Sequence, residues 1–167
     1  MKKTIQVLVL VLFCTVGFAQ TAKEYYNNAN EKLDRKKYKD ALKEFNKAIE
    51  LDQNFADAYY NRGIVKNNLK DFNGAIADYS KAIEIKPSHA LAYNNRGLIK
   101  KALEDYDGAV EDYSKAIDID PSFASAYFNR GSINILIKRP ELGCEDFKKA
   151  LVLGQNKALE YISQYCN

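Results

Sequence analysis

Two sets of side chains in this sequence recur at a fixed interval and have chemistry to offer. Arg62, Arg96 and Arg130 stand 34 residues apart, and Asp78, Asp112 and Asp146 each follow one of them by 16 residues. A guanidinium and a carboxylate at matched positions form a bidentate ion pair when they are brought face to face. One step nearer the start both members change together, to Asn28 and Glu44. That joint change favours pairing; solvated charge on an outer face is the other reading. The second set is Asn27, Asn61, Asn95 and Asn129, also 34 residues apart. Each carboxamide is both donor and acceptor. Asparagine is a mediocre helix former, so four copies at one interval ask for a reason.

No catalytic constellation accompanies these sets. The single histidine, His89, falls at the end of a repeated segment, where a surface turn residue is expected. One histidine without clustered cysteines or carboxylates gives no metal site. Ser80 and Ser114 recur with the same interval, so they reflect the period and not a nucleophile. Glycines occur singly, with no phosphate-binding loop. The expectation is a protein that is not an enzyme and needs no cofactor.

The first residues read as a targeting segment. Lys2 and Lys3 precede an almost wholly apolar run at 5–13, and Gly17 and Ala19 supply small residues before Gln20. This is the layout of a secretory signal peptide over 1–19, cut after Ala19. Spanning a bilayer takes about 20 apolar residues; this run is shorter and contains Gln6. A lipid anchor at Cys14 is disfavoured by bulky Phe13, where such sites carry a small residue. An exported chain, periplasmic or secreted and bacterial in character, is expected. The formal charge of 25 − 22 = +3 falls to 23 − 22 = +1 without Lys2 and Lys3. Acidic residues are interspersed among the remaining cations, unlike the clustered Lys and Arg that bind phosphate backbones. Nucleic acid is therefore not an expected partner. No second hydrophobic segment follows, so no membrane insertion is expected after cleavage.

The elements that must position the recurring residues follow from the interval itself. Residues 20–157 hold four units, 22–55, 56–89, 90–123 and 124–157, without insertion or deletion. Tyr25, Tyr59, Tyr93 and Tyr127 hold the fourth place, and Ala29, Gly63, Gly97 and Gly131 the eighth. Ala41, Ala75, Ala109 and Gly143 hold the twentieth, and Phe45, Tyr79, Tyr113 and Phe147 the twenty-fourth. Apolar residues such as Ala75, Ile76, Tyr79, Ala82 and Ile83 follow helical spacing. Each unit reads as two helices of about 14 residues, roughly 21 Å long, joined by turns such as "LKDFN" and "LEDYD". A small eighth residue facing a small twentieth lets the two backbones approach, with the aromatic filling the adjoining gap.

This pattern resembles the tetratricopeptide repeat (TPR) family, whose 34-residue unit is a helix-turn-helix. The resemblance covers 22–157 and implies an all-α fold: an α-solenoid of four tandem repeats closed by a C-terminal capping helix at 158–167. Departures are local. The family's tryptophan at the fourth place is tyrosine throughout, the first unit carries Asn28-Ala29 for Arg-Gly, and the fourth places Pro140 and Gly143 at the start of its second helix. Proline is tolerated in a first helical turn, because its missing N–H had no intrahelical partner. After the fourth unit, "ALEYISQYCN" restarts the pattern and stops, as a terminal half-unit that covers the last apolar face. If that helix runs antiparallel to the one before it, Cys144 and Cys166 come side by side. In an exported chain an even pair reads as a structural disulfide; two buried thiols that never meet is the bland alternative.

In the family the first helix of each unit lines the concave side of the superhelix. The resemblance therefore implies that Asn27, Asn61, Asn95 and Asn129, at the sixth place, form a ladder that pairs with the backbone of an extended peptide. The fifth place adds Tyr26, Tyr60, Asn94 and Phe128, and the ninth Asn30, Ile64, Leu98 and Ser132. Such a lining suits a peptide with apolar side chains. Family members that clamp acidic chaperone tails carry Lys and Arg on this face. Here Asn30 and Asn61 fit that arrangement, but Tyr26, Leu91 and Asn95 stand where the cations belong. Against the ladder stands a purely structural reading, with asparagine capping neighbouring side chains or merely recording the duplication of one ancestral unit. The expected function is a scaffold or adaptor holding a protein or peptide in the groove. The alternative is an assembly subunit that stacks end to end, or self-associates, through the open first helix pair at 22–51.

Overall fold

The computed structural model describes residues 20–166, and they form α-helices joined by turns. In chain order these are α1 (Ala22–Asp34), α2 (Tyr38–Leu51), α3 (Ala56–Asn68), α4 (Phe72–Ile85), α5 (Ala90–Ala102), α6 (Tyr106–Ile119), α7 (Ala124–Leu136), α8 (Pro140–Val152) and α9 (Ala158–Tyr165). The expected leader at 1–19 and Cys14 lie outside the described residues. Among those described, no helix is long and apolar enough to cross a membrane.

Local sequence explains where each helix begins. Thr21 and Glu24 form a capping box on α1, Thr21 N donating to Glu24 Oε2 at 2.7 Å and Glu24 N to Thr21 Oγ1 at 3.2 Å. Asp71 and Asp105 accept from Gly74 N and Gly108 N at the starts of α4 and α6. Pro140 opens α8 at its first turn.

The turns inside the four hairpins share one construction. Lys36, Lys70, Glu104 and Lys138 occupy the same place of successive units, and all have left-handed backbone, with φ of 57°, 66°, 63° and 61°. The following N–H groups reach back five residues, from Lys37 to Lys32 O at 2.8 Å and from Arg139 to Asn134 O at 2.7 Å, with the same link in the units between. This Schellman closure satisfies carbonyls that the ending helix leaves open and reverses the chain.

Each hairpin packs on its neighbour in sequence, α2 on α3, α4 on α5, α6 on α7 and α8 on α9. The first helices also approach one another across units, α1 with α3 and α5 with α7. Crowding on that side makes it the inner side of the curve.

The small eighth residues leave room for the aromatic rings of the twenty-fourth place. A Cβ on Gly63 would lie 2.7 Å from Tyr79 Cε1, and one on Gly97 would lie 2.9 Å from Tyr113 Cε1. The eighth place there accepts the ring of the twenty-fourth. In the fourth unit the eighth and twentieth places meet, a Cβ on Gly131 lying 3.0 Å from Gly143 O. Between units, buried Ala48 and Ala116 pack with Ala58 and Ala126 of the next first helix, and Ala150 packs with Ala158 of α9.

Candidate functional site

The arginines of the seventh place tie each hairpin together. Arg96 Nε and Nη2 donate to Asp112 Oδ2 and Oδ1 at 2.9 and 2.6 Å. Arg62 with Asp78 and Arg130 with Asp146 repeat the bidentate geometry. The aspartates are buried, so these pairs are interior links and not solvated surface charge. The third donor, Nη1, reaches back to the preceding unit, from Arg62 to Asn46 Oδ1, Arg96 to Ser80 Oγ and Arg130 to Ser114 Oγ, at 2.9–3.0 Å. The recurring serines are thus inter-unit acceptors. Each guanidinium also lies over the fourth-place tyrosine of its own unit, 5.2–5.7 Å from the ring centre.

A second cation completes the cluster, and the motif reading passed it over. Lys66 Nζ and Lys100 Nζ lie 2.9 Å from Asp78 and Asp112, and Lys32 pairs with Glu44 where the first unit lacks its arginine. Lysine recurring at the eleventh place was the available signal. The fourth unit has Asn134 there; its Nδ2 donates to Asp146 Oδ2 at 3.3 Å. Beside it lies a cavity of about 280 Å³ lined by Val110, Arg130, Arg139 and Leu142, among others.

The asparagine row lies along the first helices, and its amide groups bridge neighbouring units. Asn61 Nδ2 donates to Tyr26 Oη at 3.0 Å and Asn30 Oδ1 at 2.8 Å. Asn95 Nδ2 donates to Tyr60 Oη at 3.1 Å, and Asn129 Nδ2 to Asn94 Oδ1 at 3.1 Å. Three of these bonds span 35 residues, linking the sixth place to the fifth place of the unit before. Asn27 is exposed. Burial raises the pKa of Tyr60 more than the Asn95 hydrogen bond lowers it, so its hydroxyl stays protonated.

The other expected lining residues divide into floor and surface. Tyr26 packs against Phe55 at a ring separation of 4.7 Å, Phe128 against Phe147 at 5.5 Å and Tyr161 at 4.9 Å, and Ile64 packs on the cluster around Tyr79. Leu98, by contrast, is 41 % exposed, and Leu91, one heptad earlier on α5, is 49 % exposed.

His89 departs from expectation. It is buried at the start of α5, its ring 4.6 Å from that of Tyr60, with Nε2 3.6 Å from Asp57 Oδ1. The same place holds Phe55 and Phe123 in neighbouring units. The histidine therefore substitutes for an aromatic staple, a role that the alignment of units contained and the emphasis on turns obscured.

At the far end, Cys144 and Cys166 sit with Sγ atoms 2.08 Å apart and Cα atoms 5.6 Å apart. Among the described residues, no group of three His, Cys, Asp or Glu side chains is arranged to hold a metal ion.

Comparison with known proteins places this arrangement. A family model described as TPR repeat matches residues 29–69 and 99–135, and one described as tetratricopeptide repeat matches 56–89. No curated protein matches significantly. A crystal structure of MamA is similar with a TM-score of 0.78 at 27% identity, over 92% of this chain and 88% of that one. The pilF protein of Pseudomonas aeruginosa is similar with a TM-score of 0.73 at 25% identity, over 81% and 62%. The first TPR domain of Spaghetti (RPAP3), solved bound to an HSP90 peptide, shares the fold with a TM-score of 0.69 at 24% identity, over 71% and 94%.

Proposed function

The chain belongs to the tetratricopeptide repeat family, and from that premise we propose that it is an exported, non-catalytic adaptor holding an extended, largely uncharged peptide along its first helices. Repeats of this family are scaffolds for protein–protein interaction. What supports the finer reading is the exposure of Leu91 and Leu98 on α5, two large apolar side chains on the inner side next to the carboxamide row. The row serves the peptide through its oxygens. With the amide N–H groups of Asn61, Asn95 and Asn129 engaged between units, the carboxamide oxygens of Asn61 and Asn129 are the groups left to accept peptide N–H donors. Tyr26, Tyr60, Phe128 and Ile64 form the floor beneath, and Asn27 extends the row.

A domain of this fold is solved with an HSP90 peptide. Its acidic ligand is not the expected one here, because Tyr26, Leu91 and Asn95 supply no cation. End-to-end stacking on the first unit is the less favoured reading. Every following unit sends an arginine back to the unit before it, whereas Asn28 is too short to do so. In an oxidising compartment the Cys144–Cys166 bridge forms and locks the last hairpin to α9.

Screening the purified chain against a library of extended peptides tests the proposal. Neutral sequences with two spaced apolar residues are expected to be retained, and Leu91→Ser with Leu98→Ser to lose them while the melting temperature holds. Preferential retention of acidic peptides, or retention indifferent to both substitutions, would refute it.

A further inference from the structure

The hairpin turns form one edge of the solenoid, and four places on that edge are exposed in the first and third units. In the first unit they carry Lys36, Lys37, Lys39 and Lys43; in the third they carry Glu104, Asp105, Asp107 and Glu111. These are the same four places, 68 residues apart, with every sign inverted. Among the described residues no ion pair engages any of the eight, and Asp105 accepts a cap hydrogen bond from Gly108 N. The unit between them is balanced, with Lys70, Asp71, Asn73 and Ala77 at those places, and the fourth is balanced too, with Lys138, Arg139, Glu141 and Glu145. Since the units repeat one backbone design, down to the left-handed residue in each turn, the lysine constellation and the acidic one have the same layout.

We propose that this edge is a self-pairing surface. Two copies meet about a twofold axis through the second unit, so that the four lysines of each first unit face the four carboxylates of the other's third unit. Such a contact is isologous: it is made twice, closes at two chains and leaves no free half. A second copy is the partner the charges fit, because the chain itself carries the complementary set at matched places, separated by the neutral unit a twofold axis requires. Complementary potentials of this kind set encounter rate and register. The surface is distinct from the inner side assigned to peptide, and its pairing does not depend on that assignment.

Sedimentation equilibrium of the purified chain at two ionic strengths reads the proposal directly. Screening shortens the reach of exposed charge from about 30 Å at about 0.01 M to about 3 Å at about 1 M salt. The mass is expected to be that of two chains at low salt and one at high salt. A variant with Lys36, Lys37, Lys39 and Lys43 all changed to Glu, and another with Glu104, Asp105, Asp107 and Glu111 all changed to Lys, should each remain single. Mixed in equal amounts they should recombine as one of each, because every facing edge is then complementary again. All eight side chains are exposed, and unchanged circular dichroism will show that both variants fold. A single-chain mass at low salt, a mass rising without limit, or a mixture that fails to combine would each overturn the twofold pairing.

Discussion

Arg96 is tied in three directions. It holds Asp112 with two nitrogens, reaches Ser80 of the preceding unit with the third at 2.9 Å, and covers Tyr93 with its face. Removing it leaves a carboxylate that is 1 % exposed with Lys100 alone to balance it. Breaking one side of a buried pair typically costs about 3 kcal/mol or more. Arg96→Met and Asp112→Asn are each expected to destabilise by about that much. The double variant should cost less than their sum by about 1–3 kcal/mol, measured by urea unfolding; strict additivity would mean the two act separately. His89 gives a second prediction at this scale. Burial pushes its pKa below the ordinary value, outweighing the attraction of Asp57, and Lys86 adds to the lowering. The unfolded chain therefore takes up a proton near the ordinary value of about 6.5, while the folded chain resists until lower pH. Stability is full above that value and declines as the pH falls toward the folded pKa. Between about pH 7.5 and about pH 5.5 the melting temperature should drop, and His89→Phe, which copies Phe55 and Phe123, should reduce the drop. An equal drop in the variant would exonerate the imidazole. The Arg–Asp pairs were legible because both members changed together in the first unit. The bonds of the asparagine row were not, because a link from the sixth place to the fifth place of another unit depends on how units stack.

The hairpin is where sequence and element correspond most closely, yet its turn carries a conformation the sequence hides. "LKDFN" and "LEDYD" mark the reversal, and the helices end and begin on either side of it. The residue at the reversal itself is Lys or Glu in left-handed backbone, where glycine would be the usual signal. Side chains with a Cβ pay about 1–2 kcal/mol for that conformation, which glycine avoids at some cost in unfolded-state entropy. Lys138→Gly and Glu104→Gly are each expected to stabilise by about 1 kcal/mol, read as a higher urea midpoint with an unchanged slope. A loss of stability would mean that contacts of the side chain outweigh the backbone strain. The helices themselves depend on the small–aromatic match for their spacing. Gly97 accepts the ring of Tyr113, whereas the first unit holds Ala29 against Phe45, so the size of the eighth residue reads as half of a pair.

Across the whole molecule each hairpin touches mainly the next, so stability is a chain of neighbouring interfaces and the ends matter most. The number of units and their order were legible from period alone. The direction of curvature needed the structure, because it depends on which helices crowd. The last interface rests on α9, only eight residues long, a length that is marginal as a free helix. Three things hold it: buried Ala158 on Ala150, Tyr161 set edge-on to Phe128 at 4.9 Å, and the proposed bridge from Cys144 to Cys166. The two cysteines are 22 residues apart in sequence, a loop whose closure is worth about 3 kcal/mol in chain entropy. Because the interfaces are sequential, losing the bridge should act at one end. Reduction, or Cys166→Ser, is expected to speed amide hydrogen exchange in α9 and then in α8. Exchange in α4 should stay as it was, since two whole interfaces separate it from the loosened end. Uniform acceleration along the chain would show that the hairpins unfold as one body, and unaltered exchange in α9 would show that Ala158 and Tyr161 hold it unaided.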